Sequence, residues 1–206
     1  MWVADDSGRV LTDMELAYMM ALFSVRSKSS RGVTAPSYTP TVLIEALTSN
    51  GATVYRAKSH ARELSDLART SKSGMASDLA GGFVFPELHN GMDAIFAAAR
   101  LVEWVSADSA PLSQLVQLVP EHHLLRDTMP CPWELKGQAM RELLGKLDQP
   151  GVDTFDGYRK AVADGWYMVL PDARHPSFTI YAEGPTRLDA EKILEEARRE
   201  LAAQID

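Results

Sequence analysis

The chain has 206 residues, 46% of them hydrophobic, and a formal net charge of −7 at pH 7. That length and apolar content suffice for one large packed domain or two small ones, while an acidic balance without a basic block argues against nucleic acid, whose phosphates it repels. One cysteine, Cys131, excludes an internal disulfide, no apolar run approaches the roughly 20 residues that cross a bilayer, and the start MWVADDSGRV lacks signal-peptide character, so a soluble cytoplasmic chain with no membrane partner is expected.

MWVADDSGRVL reads as a strand and a turn, with Asp6, Ser7 and Gly8 as turn residues. Thr12 and Glu15 have capping-box spacing, and Leu16, Met19, Met20 and Phe23 form one apolar helix face that reads as core. SKSSRG reads as a loop. A helix from Pro40 through Leu47 ends at SNG and yields to the strand ATVYRA. ARELSDLAR reads as a helix, KSGMASDLAGG as a loop and FVF as a short buried strand. Met92, Ile95, Phe96, Ala99 and Val102 mark the face of a further helix. Strands alternating with helices predict a three-layer α/β domain with a mixed, mainly parallel sheet.

The organisation changes after Trp104: SADSAP is linker-like and LSQLVQLVP a short helical segment. We divide the chain into residues 1–124 and 125–206. The second part is expected to open with a helix led by Pro130 and Pro132, whose face carries Trp133, Met140, Leu143 and Leu147 and which DQPG stops. Two or three strands follow, with ADG and LPDARHP as turns. A last helix, capped by Thr186 with Asp189 at its third position, presents Ala190, Ile193, Ala197 and Leu201. This predicts a small α+β domain, an antiparallel sheet with both helices on one face.

The stretch GWYMVLPDARHPSFTIYAEGPTRLDAEKILEEAR resembles the C-terminal domain of the α-D-phosphohexomutases, the phosphomannomutase and phosphoglucomutase family. There a tryptophan-containing strand precedes Arg-Pro-Ser-Gly/Asn-Thr-Glu-Pro and a strand ending near Tyr-x-Glu. GGFVFPELHNGMDAIFAAARLVE is similar to the end of that family's third domain and VADDSGRVLTDMELAYMMAL to its beginning. CPWELKGQAMREL resembles the mutase-like tail behind the nucleotidyltransferase of some bacterial mannose-1-phosphate guanylyltransferases. Four segments in family order imply the third and fourth mutase domains.

The same resemblance implies which chemistry is missing. The family moves phosphate through a phosphoserine, with magnesium held by an Asp-x-Asp-x-Asp loop. By the resemblance, both would fall before Met1; the chain has no such loop, so no catalytic residue and no metal ligand is assigned, and magnesium is implied only for the complete family enzyme. Where the family's phosphate loop has arginine, serine and threonine, this chain has Leu170, Asp172 and Arg174, and the arginine often opening the next strand reads as Thr179. Losing one arginine–phosphate hydrogen bond removes about 1.5–3 kcal/mol, and Asp172 adds repulsion as an acceptor-only carboxylate. Arg174 and His175 can both donate, but the pattern favours a proline-bounded hairpin turn, a decayed clamp. The family's sugar loop, Gly-Glu-x-Ser-Gly, matches SDLAG: Asp78 keeps the charge, Ala80 offers no hydrogen bond, and Gly81 and Gly82 serve the backbone.

Adjacent His122 and His123 would point about 100° apart on a helix and lack a third ligand. Cys131 reads as structural, though at a helix N-terminus its thiol would be activated. Lys136 and Arg141 read as a solvated face. The expectation is a degenerate, non-catalytic module of sugar-phosphate or sugar-nucleotide metabolism. Its partners would be a weakly bound sugar phosphate and a protein or fused domain, such as a mannose-1-phosphate guanylyltransferase. A split mutase, completed by a second chain bearing the phosphoserine and magnesium site, and a fragment of a longer fusion stand as alternatives.

Overall fold

A computed structural model describes residues 1–27, 30–145 and 149–205, which divide into two compact units, Met1–Glu121 and His122–Asp206. Leu147, Asp148 and the middle of SKSSRG lie outside the described residues.

In the first unit the chain enters through a turn closed by one bridge, Ala4 to Val10, rather than a full strand. Asp5 organises that turn, accepting from the Ser7 hydroxyl and the Ser7 and Arg9 amides. The expected capping box starts helix α1 (Asp13–Arg26): Glu15 N–H donates to Thr12 Oγ1 and Thr12 N–H to the Glu15 carboxylate. Every residue from Leu16 to Val25 is buried, so α1 is wrapped on all sides rather than along one stripe.

A five-stranded sheet has the order β2-β1-β3-β4-β5. Strands β1 (Gly32–Pro36), β2 (Thr53–Ala57) and β3 (Met75–Ser77) run parallel; β4 (Phe83–Phe85) and β5 (His89–Met92) add antiparallel. The sheet is therefore mixed. Strand β1 has no counterpart in the sequence expectations and β3 lies inside an expected loop. Both are buried at every position, so neither has the alternation that exposes a strand to sequence reading. Helices α2 (Thr41–Ser49) and α3 (Ala61–Thr70) follow the expected pattern.

Helix α4 (Ala94–Ala107) corrects a face. Asp93 caps it by accepting from Phe96 N–H, which leaves Met92 in β5. Its buried residues are Ala97, Leu101 and Trp104, while Ile95 is 86% and Val102 65% exposed. The helix is apolar nearly all round, so periodicity alone admits either face. The stretch after it joins a short helix α5 (Leu112–Leu115) and a 3₁₀ turn (Val116–Leu118) within the same unit.

The second unit opens with a strand where a helix was expected. β6 (Leu124–Pro130) pairs with β10 (Ser177–Glu183), and only then does α6 (Trp133–Leu144) begin. With β7 (Val152–Asp153), β8 (Tyr158–Val162) and β9 (Gly165–Pro171) the antiparallel order is β6-β10-β9-β8-β7. The expected ADG turn is a two-residue hairpin, since Val162 pairs with Gly165. Gly165 is required there: a Cβ would lie 2.0 Å from the Glu183 carbonyl oxygen.

α6 and α7 (Arg187–Ala202) cover one face, packing Ala139, Leu143, Ile193, Ala197 and Leu201 against Tyr158, Tyr167, Val169, Phe178 and Ile180. Thr186 caps α7 as its sequence predicts. In α6 the buried positions are Lys136, Ala139 and Leu143; Trp133, expected in the face, is 52% exposed. Under α7, Glu200 accepts from the hydroxyls of Tyr158 and Tyr167 and from Lys160. Burial, then the Glu200 carboxylate, pushes the Tyr158 hydroxyl up to about 12.

Candidate functional site

The sugar-loop candidate follows the C-terminal end of β3, where open α/β sheets place their ligands. Its carboxylate is turned inward. Asp78 Oδ1 accepts from the amides of Ala80 and Gly82, each at 2.8 Å, and Asp78 N–H donates to the Gly82 carbonyl at 3.2 Å. Tyr38 Oη donates to the Asp78 carbonyl at 2.7 Å. Gly81 has a φ of +86°, a left-handed conformation that glycine adopts without strain, and its carbonyl accepts from the Met1 ammonium. Leu79 sits in the same region at φ +56°. Asp78 and Gly81 thus shape one turn.

The second candidate is the loop between β9 and β10. Asp172 Oδ1 accepts from Arg174 N–H at 2.7 Å and from His175 N–H at 3.0 Å, and Oδ2 lies 3.3 Å from His175 Nδ1. These bonds, the Arg174 amide first, pull the Asp172 carboxyl down to about 2. Leu170 pairs with Thr179 in the ladder and supplies no cation; Arg174 and His175 are exposed.

Sequence reasoning missed the residue that holds this loop. Lys136, expected on a solvated face, is 7% exposed, and its ammonium donates to the carbonyls of Asp172 and of His175, the latter at 2.8 Å. Its Nζ also lies 4.1 Å from the centre of the Trp133 ring. A signal was present: Lys136 stands three and seven residues before Ala139 and Leu143, in register with the buried stripe. At the far end of the hairpin, buried Glu183 accepts from Trp166 Nε1, and the Arg159 guanidinium lies 4.1 Å from the Trp166 ring centre.

Cys131 is buried, its amide donates to the Pro176 carbonyl at 2.8 Å, and burial pushes its thiol up, so activation at a helix end is not its chemistry. The His123 carbonyl accepts from Gly184 N–H. Among the described residues no three His, Cys, Asp or Glu side chains come together to hold a metal ion, and no step is assigned to one. Among the same residues no helix is long and apolar enough to cross a membrane.

No protein-family model matches the chain. It is 28% identical over 205 residues to a probable phosphoglucosamine mutase of Methanococcoides burtonii, covering 96% of this chain and 46% of that protein. Among solved structures, a phosphoglucomutase/phosphomannomutase family protein from Burkholderia thailandensis superposes with a TM-score of 0.80 at 18% identity, over 98% of this chain and 44% of that one. Aspergillus fumigatus N-acetylphosphoglucosamine mutase, solved with GlcNAc-6P and magnesium, gives 0.67 at 12% identity, over 100% of this chain and 46% of that one. The chain spans about half the length of the curated relatives it matches. The chain is thus similar to members of the α-D-phosphohexomutase superfamily, and its two sheets with their helices match the fold of their C-terminal domains.

Proposed function

We propose that this chain is a phosphohexomutase-like C-terminal part, equivalent to the third and fourth family domains, that works as a non-catalytic module in cytoplasmic sugar-phosphate or sugar-nucleotide metabolism. One observation carries the reading. In each ligand loop the carboxylate is taken up by two amides of its own turn, Asp78 by Ala80 and Gly82, Asp172 by Arg174 and His175. Groups that would meet a sugar hydroxyl or a phosphate hold the protein's own backbone instead. Asp78, Gly81, Asp172, Arg174 and His175 are on this reading remnants of binding loops. An accessory role beside a mannose-1-phosphate guanylyltransferase rests on the CPWELKG resemblance alone.

Two measurements test it. Calorimetric titration with mannose 1-phosphate and glucose 1-phosphate, with and without magnesium, should give no heat at millimolar ligand. A coupled assay should show no conversion of mannose 1-phosphate to mannose 6-phosphate, and turnover by the purified chain would end the proposal. A second reading is a split mutase, which co-purification with a chain carrying a phosphorylated serine would support.

A further inference from the structure

At the end of the first sheet opposite the Asp78 turn lies a second concave site, apart from both loops described above. Ser30 lies shortly before β1, Ser73 and Gly74 just before β3, and Glu87 just after the antiparallel β4, so all four meet at that end, joined by Arg69 and Lys72 from the end of α3. Together they line an open cleft of about 260 Å³, far more than the roughly 10–15 Å³ that one water needs. We propose that this cleft binds a small zwitterion of the amino-acid class, its carboxylate on Arg69 and Lys72 and its ammonium on Glu87.

The floor of the cleft is preformed. Gly74 N–H donates to the Gly32 carbonyl at 2.8 Å, Gly32 N–H to Ser30 Oγ at 3.1 Å and Ser30 Oγ to the Lys72 carbonyl at 3.0 Å. Buried Ser73 ties its hydroxyl to those of Thr34 and Ser71, at 2.8 and 2.9 Å. What remains to meet a ligand is charge. Lys72 follows the C-cap of α3 and closes a Schellman turn, in which Ser73 N–H donates to the Ala68 carbonyl and Lys72 N–H to the Arg69 carbonyl. That position takes a left-handed backbone, which glycine adopts without strain, yet Lys72 occupies it at φ +53°. The chain accepts strain there and keeps an ammonium beside the cleft.

The other charges are loosely engaged. The Arg69 guanidinium is 3.9 Å from Asp66, and Glu87 stands 4.0 Å from Arg100, whose closer pair is with Glu103 at 2.8 Å. Two cations from α3 and one carboxylate from the β4–β5 connection therefore share one small cleft. A lone anion meets repulsion from Glu87, and a lone cation meets it from Arg69 and Lys72. A short molecule carrying both charges complements both.

The test follows the Ser73, Gly74 and Glu87 amides by ¹H–¹⁵N NMR in the full chain while 4-aminobutyrate, butyrate, butylamine or inorganic phosphate is added. 4-Aminobutyrate should give saturable shifts at millimolar concentration, and the other three should bind at least fivefold more weakly. K72G, whose glycine suits the left-handed position and so keeps the fold, should weaken 4-aminobutyrate binding at least fivefold. E87Q should erase the advantage of 4-aminobutyrate over butyrate. No saturable shift with 4-aminobutyrate would overturn the site. Butyrate or phosphate binding as tightly as 4-aminobutyrate would overturn the zwitterion in favour of a plain anion patch, and unchanged binding by K72G would overturn the role of Lys72.

Discussion

Replacing Lys136 with methionine keeps an unbranched apolar stem of four atoms and removes the ammonium. That ammonium makes two charge-assisted hydrogen bonds, to the Asp172 and His175 carbonyls, from a position 7% exposed. The His175 carbonyl still receives Ser177 N–H in the variant, whereas the Asp172 carbonyl loses its described donor. Bonds to charged groups contribute about 1.5–3 kcal/mol each, and one buried carbonyl left unpaired costs roughly 1–3 kcal/mol. Relief of the desolvation of a buried ammonium offsets part of this, leaving a net loss of about 2 kcal/mol. For a unit of this size each kcal/mol moves the midpoint by roughly 4–8 °C, so K136M should melt about 10 °C lower in thermal unfolding. Hydrogen exchange at the Arg174 and His175 amides should accelerate beyond the global change. A loss within about 0.5 kcal/mol with unchanged exchange at those amides would refute the claim that Lys136 holds the loop, and a gain in stability would mean that desolvation outweighs both bonds.

The depressed Asp172 carboxyl makes a pH prediction. Its folded value of about 2 lies below the ordinary 3.8, so its contribution is complete above about pH 4 and is lost as pH falls toward 2. Thermal unfolding against pH should show that decline in the unsubstituted chain and a flatter profile for D172N. Two glycines give opposite outcomes. Gly165→Ala drives a Cβ to 2.0 Å from the Glu183 carbonyl oxygen and should cost on the order of 3 kcal/mol or more in urea unfolding. Gly137→Ala, inside α6 with its nearest neighbour at 3.5 Å, should stabilise by about 0.5–1 kcal/mol.

Much of the frame is legible locally. The Thr12–Glu15 and Thr186–Asp189 caps, the face of α7 and the hairpin at Ala163 and Asp164 are each encoded within a few residues, because capping and turn formation are contacts between near neighbours. The segments that carry the mutase resemblance are local in the same sense. Strands β1 and β3 are not, since a short parallel strand buried on both sides owes its pairing to residues far along the chain.

What the sequence by itself determined is the class of each domain, the caps that start the first and last helices, and the identity of the residues in both candidate loops. The tertiary structure alone decided that α4 buries Leu101 and Trp104 rather than Ile95, that Lys136 lies inside rather than in solvent, and that Asp78 and Asp172 bond their own turns. The reason is physical: a residue's type fixes what it can donate or accept. Whether that capacity faces a ligand, water or its own backbone depends on which elements pack around it.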